Sequence, residues 1–226
     1  MSTDAYGSPH CLLFDLDGTL VDTAPDLAAT LNALRAEHGL APLPFDSIRP
    51  HVSHGARAMV RVGFAIDEDD ARFAALRERF LALYRERLMT NSRLFDGMDA
   101  VLAALENRGV KWGIVTNKPA WLTEPLLAGL GLAARAACII SGDTTRNRKP
   151  HPEPLLYASA LVGIAPEHCL YIGDARRDIE AGRAAGMKTL VALFGYLGDD
   201  DSPHEWDADG TIDDPLDILD WFNVHA

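Results

Sequence analysis

The order of apolar and polar positions divides the chain into stretches of different character. An apolar run at residues 11–14, CLLF, has the length and continuity of a buried strand. From residue 96 onward, short apolar runs alternate with stretches of helical periodicity. The pattern predicts helices at 98–108, 121–129, 153–162, 176–185 and 215–222, and strands at 112–115, 137–140, 169–172 and 189–193. Strands that alternate with helices at this spacing are typical of a parallel sheet covered on both faces.

The block between these stretches, residues 23–90, has only helical periodicity, with Leu27, Leu31 and Leu34 as one example. Because a predicted strand precedes this block, the block is an insertion into an α/β core. We therefore expect an α/β fold with a Rossmann-like doubly wound parallel sheet and an inserted all-helical cap domain. The expected division is a catalytic core at 1–21 and 91–226 and a helical insertion at 22–90. The acidic segment 198–210 is expected to be a surface loop.

The charge balance limits the class of partner. The chain has 226 residues and a formal net charge of -12, from 21 basic and 33 acidic residues. This balance disfavours nucleic acid and anionic membranes, because both are themselves negatively charged. An anionic substrate would need a local cluster of cations or a metal. No apolar run approaches the roughly 18 residues of a membrane span, and residues 1–10 lack the pattern of a signal peptide.

Three cysteines, Cys11, Cys138 and Cys169, each lie in or at the start of an apolar run. Their odd number and wide separation fit neither a disulfide framework nor a zinc site. We expect buried, reduced thiols, and therefore a cytoplasmic protein.

Polar side chains gather where the predicted strands end. The positions directly after these strands include Asp15, Asp17, Thr116, Asn117 and Asp174, and Lys149 opens a later helix. In an open parallel sheet, ligands bind at the carboxyl ends of the strands. Crowded carboxylates need a cation, and a ligand set made only of oxygen atoms suits Mg²⁺.

The spacing of these side chains suggests their roles toward a phosphate ester. Asp15 and Asp17 alternate along an extended segment, so one carboxylate can attack phosphorus while the other transfers protons. Thr116 and Asn117 offer hydroxyl and amide donors to phosphoryl oxygens.

Two cationic or metal-binding roles remain. The Lys149 ammonium can neutralise charge on the phosphoryl group and on the nucleophile. Asp174 is expected to ligate the metal, with Asp178 behind it.

Four segments resemble the motifs of the haloacid-dehalogenase-like phosphatase superfamily: DLDGTL at 15–20, VTN at 115–117, RKPHPEP at 148–154 and GDARRDIEAGRAAG at 173–186. They occur in the family's order and span nearly the whole predicted core. The resemblance implies an aspartyl-phosphate intermediate on Asp15, with Asp17 as acid to the leaving group and base to water. It also implies Mg²⁺ held by the Asp15 carboxylate, the Asp17 main-chain carbonyl and Asp174, and a helical cap after the first motif.

Within this superfamily, residues 20–40 and the VTNKP at 115–119 resemble phosphoglycolate phosphatases. A closer resemblance is to the proteobacterial N-acetylmuramic acid 6-phosphate phosphatases of cell-wall recycling, carried by the segments 49–60, 91–99 and 176–187. Both resemblances imply a small phosphorylated metabolite as the substrate.

Four residues are expected to bind this substrate: Asn117, Lys118, Gly55 and Arg57. Lys118 has an alternative interpretation as a solvated loop residue. Gly55 and Arg57 lie in a polar loop of the helical insertion. For Arg57, a position on the solvated surface is an equally good interpretation.

Other polar residues have structural interpretations. Asp22 and Thr23 have one interpretation as substrate contacts, but Thr23 precedes Pro25 and is expected instead to be the N-cap of a helix. Arg176 and Arg177 are expected on a helix surface. The D-x-D-G segment also resembles the start of a calcium loop, but the sixth position of such a loop, which requires Gly, is Leu20.

Three functions fit these observations. The first is a Mg²⁺-dependent phosphatase. The second is a phosphosugar mutase, which shares the motifs but returns the phosphate to its product. The third is a non-catalytic binding module on the same fold, which the intact set of acidic residues and lysine disfavours. We expect a monomer or a weak homodimer.

Overall fold

The computed structural model describes residues 9–224. Its strands are β1 (Cys11–Phe14), β2 (Val21–Asp22), β3 (Arg93–Leu94), β4 (Lys111–Val115), β5 (Ile139–Ile140), β6 (Cys169–Gly173), β7 (Lys188–Ala192) and β8 (Gly210–Ile212). Its α-helices are α1 (Ala24–Glu37), α2 (Phe45–Ile48), α3 (Gly55–Phe64), α4 (Phe73–Arg87), α5 (Met98–Asn107), α6 (Ala120–Gly129), α7 (Glu153–Val162), α8 (Arg176–Ala184) and α9 (Asp217–Val224). Part of the segment used to predict the lack of a signal peptide, residues 1–8, lies outside the described range.

Six of these strands form one parallel sheet in the order β5-β4-β1-β6-β7-β8. Strand β1 pairs with β4 on one side and with β6 on the other, with Phe14 in register with both Ile114 and Ile172. All four residues of β1 are buried, as expected of a central strand with helices on both faces. The predicted α/β class with a doubly wound parallel sheet is confirmed.

Side chains of the central strand alternate between two apolar layers. Leu12 and Phe14 pack with α5, α6 and α9 on one face. Cys11 and Leu13 pack with α7 and α8 on the other. The three cysteines are buried and form no disulfide, as predicted.

The helical insertion has an apolar cluster of its own, in which residues such as Leu31, Met59 and Phe80 bring α1, α3 and α4 together. Tyr196 and Leu122 join this cluster from outside the insertion. The chain enters and leaves the insertion through the antiparallel pair β2–β3, in which Val21 faces Leu94. The division into a core and a cap at residues 22–90 stays a prediction.

Three short strands differ from the sequence-based expectation. Strands β2 and β3 have two residues each, too few to show an alternating pattern. The segment 198–210 is largely loop, with a 3₁₀ turn at Pro203–Glu205, but its last residue begins the edge strand β8. Within residues 9–224, no helix combines the length and apolarity that a membrane crossing requires.

Candidate active site

The carboxyl ends of β1, β4 and β6 meet at one edge, because β1 lies between the other two strands in the sheet. Asp15, Thr116 and Asp174 directly follow these strands, and all three are buried. In sequence, Asp15 and Thr116 are about 100 positions apart, and Thr116 and Asp174 are about 60 apart. The parallel topology brings all three to the same edge of the sheet.

A cluster of carboxylates occupies this edge. One carboxylate oxygen of each of Asp15, Asp174 and Asp178 lies within 4.8 Å of the others. Burial, together with the charges of Asp15 and Asp178, raises the pKa of Asp174 to about 7. Burial also raises the pKa of Asp15, and the Lys149 ammonium acts against this shift. Like charges held together in a buried site favour the binding of a cation.

Lys149 supplies one positive charge to the cluster. Its Nζ lies 2.9 Å from Asp15 Oδ1 and 2.7 Å from Asp178 Oδ1, and its side chain is fully buried. The same nitrogen donates to the Val115 carbonyl at 2.8 Å and to the Tyr171 hydroxyl at 2.7 Å. Four oxygen atoms thus fix the Lys149 ammonium in place beside the Asp15 carboxylate.

A second cation lies beside Asp17. Lys118 Nζ is 2.9 Å from Asp17 Oδ1 and donates to the Tyr84 hydroxyl at 2.9 Å. Burial acts to lower the pKa of Lys118, but Asp17 and Tyr84 outweigh burial, so that the pKa is raised. The interpretation of Lys118 as a solvated loop residue is therefore wrong.

Thr23 occupies the N-cap position of α1, but its side chain makes no capping hydrogen bond. Its hydroxyl instead donates to Asp17 Oδ1 at 2.6 Å. The Tyr196 hydroxyl accepts the Thr23 and Ala24 N–H groups and donates to Asp22. The predicted N-cap position of Thr23 is confirmed, but a capping hydrogen bond from its side chain is absent, and the N–H groups of Thr23 and Ala24 are bound by Tyr196 instead.

The donor set at this edge fits a hard divalent cation. Asp174 Oδ2 accepts hydrogen bonds from Ser53 Oγ at 2.6 Å and from the Tyr196 N–H at 2.9 Å. Its other oxygen, Oδ1, is buried and has no hydrogen-bond partner among the described residues. A buried carboxylate oxygen without a partner, on a residue of the acidic cluster, suits an oxygen-ligated Mg²⁺. Both oxygens of Asp178 already accept hydrogen bonds, from Lys149 and from the Ala175 N–H.

Asn117 was predicted to offer its amide to the phosphoryl group. Its Nδ2 donates to the Lys149 carbonyl at 2.9 Å, and its Oδ1 accepts the Lys149 N–H at 3.1 Å. The side chain therefore positions the Lys149 segment in this structure, and contact of Asn117 with the phosphoryl group stays a prediction. The Thr116 hydroxyl accepts the Lys118 N–H at 3.2 Å.

A cleft of about 420 Å³ opens between this edge and the helical insertion. Gly55 and Arg57 line it together with Asp17 and Lys118, so the structure places all four beside one space. The Arg57 guanidinium also lies 3.3 Å from Glu68, in a pair that is largely exposed. Gly55 has a φ of 72°, which favours glycine where the 3₁₀ helix Arg49–His54 meets α3.

Several residues at this site were not predicted. Tyr171 lies in an apolar run, where nothing marks its hydroxyl as a partner of Lys149. Arg177 was expected on the surface with Arg176, but it is half-buried and its Nη2 donates to the Ser53 carbonyl at 2.8 Å. Arg176 does lie on the surface, paired with Glu180. The only sequence signal for Arg177 is its place one residue before Asp178.

Comparisons with known proteins agree with this arrangement. Residues 12–192 match the model of the haloacid dehalogenase-like hydrolase family. A phosphoglycolate phosphatase from Xanthomonas campestris pv. campestris is 49% identical over 207 residues, which is 92% of this chain and 93% of that protein. An N-acetylmuramic acid 6-phosphate phosphatase from Pseudomonas aeruginosa is 46% identical over 209 residues, covering 92% of each chain.

A solved structure shares the same fold. It is that of a protein described as a predicted phosphoglycolate phosphatase from Haemophilus somnus 129pt. It superposes with a TM-score of 0.82 at 28% identity, over 94% of this chain and 97% of the other.

Proposed function

This chain belongs to the haloacid dehalogenase-like hydrolase family and is a phosphatase, and from that premise we propose that it hydrolyses a phosphorylated carboxylic acid through a phosphoenzyme on Asp15. One observation carries the proposal. The buried Asp15 carboxylate lies 2.9 Å from the Lys149 ammonium and clusters with Asp174, whose Oδ1 has no hydrogen-bond partner among the described residues. A nucleophile, a fixed cation and an open metal ligand thus share one edge of the sheet.

The reaction would use two carboxylates in succession. An Asp15 oxygen forms a bond to phosphorus as the bond from phosphorus to the ester oxygen breaks, and Asp17 gives that oxygen its proton. Asp17 then takes a proton from a water molecule, whose oxygen attacks phosphorus and releases Asp15. Lys118 and Thr23 both donate to Asp17 Oδ1 and so hold this carboxylate in position.

The proposed Mg²⁺ ligands are the carboxylates of Asp15 and Asp174 and the main-chain carbonyl of Asp17. When bound, Mg²⁺ would offset the charge of the phosphoryl oxygens and of the clustered carboxylates. Asp178 would stay with Lys149, because its two oxygens already accept hydrogen bonds.

We assign the recognition of the leaving group to the helical insertion, acting as a cap over this edge. The volume of the cleft, about 420 Å³, lies within the range of roughly 300–1,000 Å³ that is usual for small-molecule sites. Leu27, Leu81, Tyr84 and Trp121 give it an apolar and aromatic wall. A sugar ring can lie against such a wall, whereas a two-carbon acid would leave much of it uncovered.

The cleft also carries cations suited to a carboxylate. Arg77 and Arg148 line it beside Arg57, and neither of these two forms an ion pair with any residue that the structure describes. Unpaired guanidinium groups in a chain of net charge -12 favour an anionic ligand. Both candidate substrates carry a carboxylate, so the arginines suit either one. The size of the cleft and its apolar wall support N-acetylmuramic acid 6-phosphate, the substrate in the name of one relative, over phosphoglycolate.

The test is phosphate release from a panel that contains N-acetylmuramic acid 6-phosphate, phosphoglycolate and an aryl phosphate. We expect the highest kcat/KM for the muramic acid ester. A higher value for phosphoglycolate would overturn the substrate but not the reaction. No release from any ester, with a phosphoenzyme that persists until a phosphosugar is added, would favour the mutase instead.

Two further expectations belong to this proposal. The three buried thiols agree with a reducing compartment, so we place the reaction in the cytoplasm. We expect a monomer or a weak homodimer, to be measured by analytical ultracentrifugation.

A further inference from the structure

The helical insertion contacts the carboxylate cluster through the hydroxyl of Ser53. Ser53, in the 3₁₀ helix Arg49–His54, donates from Oγ to Asp174 Oδ2 at 2.6 Å. The Tyr196 N–H donates to the same oxygen at 2.9 Å. With Oδ2 held by two donors, the rotation of the carboxylate is restrained and its buried Oδ1 stays without a partner.

Ser53 is itself held in place by the core. The Arg177 guanidinium donates to the Ser53 carbonyl at 2.8 Å. At the other end of the same 3₁₀ helix, the Arg49 guanidinium donates to the Phe194 carbonyl at 3.0 Å and lies 5.1 Å from the centre of the Tyr196 ring. Both ends of this segment are therefore attached to residues that adjoin Asp174.

We infer that Ser53 is a positioning residue for the cation site, so that contact between the insertion and the core strengthens Mg²⁺ binding by Asp174. The inference rests on the proposed function, because it takes Asp174 as a Mg²⁺ ligand. Groups that orient a metal-binding carboxylate commonly change metal affinity 10- to 100-fold when they are removed. By reciprocity, bound Mg²⁺ would favour the contact between the insertion and the core to the same degree.

A competing role for Ser53 is direct contact with the substrate, because its side chain also lines the 420 Å³ cleft. Ser53 lines a second cleft of about 310 Å³ as well, on the side of Asp174, Arg177 and Tyr196. A residue that only binds substrate would not affect Mg²⁺ affinity when substrate is absent. Substrate-free metal binding therefore separates the two roles.

The experiment is a calorimetric titration of MgCl₂ into the substrate-free protein, for the wild type and Ser53→Ala. We expect Ser53→Ala to raise the Kd for Mg²⁺ about tenfold. Ser53→Thr keeps the hydroxyl and should restore most of the affinity. Ser47→Ala is the matched control, because Ser47 lies in the same insertion but its exposed hydroxyl donates only to the Pro44 carbonyl.

Each result has a distinct meaning. Thermal unfolding of every variant without metal identifies any that fail to fold. If Ser53→Ala does so, Ser53→Val replaces it, because valine has the shape of threonine without the hydroxyl and is compared directly with Ser53→Thr. Equal Mg²⁺ affinity in the wild type and Ser53→Ala would overturn this inference and leave the proposed function intact. No Mg²⁺ binding by the wild type would overturn both.

Discussion

The Lys118 ammonium lies 2.9 Å from Asp17 Oδ1, and the lysine side chain is only 6% exposed. The Thr23 hydroxyl donates to the same oxygen. Two donors on one oxygen restrain the carboxylate that our proposal uses for both proton transfers. The ion pair is therefore better explained by the orientation of Asp17 than by stability alone, because burying charges carries a desolvation cost.

Replacement of Lys118 by methionine tests this relationship. The change keeps the length of the side chain but removes the charge and the donors to Asp17 and Tyr84. We expect kcat for an aryl phosphate to fall roughly 10- to 100-fold, because a misplaced catalytic group can cost about 100-fold in rate. Steady-state kinetics at saturating Mg²⁺ measure the effect.

Lys111→Met is the control for this change. Lys111 begins β4, at the opposite end of the strand from the site, and donates to the Val162 carbonyl. Its kcat should match the wild type. Equal kcat for Lys118→Met and Lys111→Met would show that Asp17 does not depend on the ion pair.

Asp15→Asn should abolish turnover and leave the fold intact. The amide cannot form the acyl phosphate, and we expect kcat to fall by a factor on the order of 10³ or more. The asparagine keeps the shape of the side chain and removes one charge from a crowded acidic cluster. Circular dichroism and thermal unfolding check the fold, and a kcat near the wild-type value would exclude the covalent route.

Activity should depend on Mg²⁺, and Ca²⁺ should inhibit. Mg²⁺ requires tight octahedral geometry, whereas Ca²⁺ accepts more ligands and would bind both oxygens of the Asp15 carboxylate, which hinders attack. Chelation followed by dialysis should remove activity, and added MgCl₂ should restore it. Full activity after metal removal, verified by elemental analysis, contradicts this prediction.

Arg57→Ala should alter substrate choice more than phosphoryl transfer. We expect kcat/KM for the preferred carboxylated substrate to fall roughly 10- to 100-fold, about 1.4 to 2.8 kcal/mol, with a much smaller change for an aryl phosphate. Arg61→Ala is the matched control, because Arg61 is a neighbouring exposed arginine paired with Asp67. Equal losses on both substrates would assign Arg57 to the fold, and no loss on either would leave it on the surface.

The α/β core could be predicted from the sequence because its signals are local. β1 and β6 are continuous apolar runs, and helices such as α7 begin and end where their periodicity does. The pair β2–β3 could not be predicted from the sequence. Strands of two residues are too short to show periodicity, and these two strands pair where the chain enters and leaves the helical insertion.

The same difference between local signals and tertiary contacts is found at the site. Asp15 and Asp174 could be placed together because the carboxyl ends of neighbouring parallel strands must meet. Tyr196 and Ser53 could not, because their partners lie more than a hundred positions away and depend on how the insertion packs on the core. For Thr23, the local rule predicted that the hydroxyl would cap α1, but in the structure the hydroxyl donates to Asp17.

The last prediction compares two glycines that share a left-handed backbone. Gly18 has a φ of 86°, and a Cβ at this position would overlap Asp174 Oδ2 and crowd the Tyr196 ring. Gly39 has a φ of 69° and nothing within 4 Å of the same position. Alanine at Gly39 should therefore lower the unfolding free energy by only about 1–2 kcal/mol, the strain of an alanine in a left-handed backbone, and leave kcat unchanged. Alanine at Gly18 adds the overlap, for a total of about 2–5 kcal/mol, and displaces the Asp174 carboxylate, so Mg²⁺ affinity and kcat should fall together. Urea unfolding and Mg²⁺ titration of the two variants give the comparison, and equal behaviour would show that Gly18 serves the turn rather than the site.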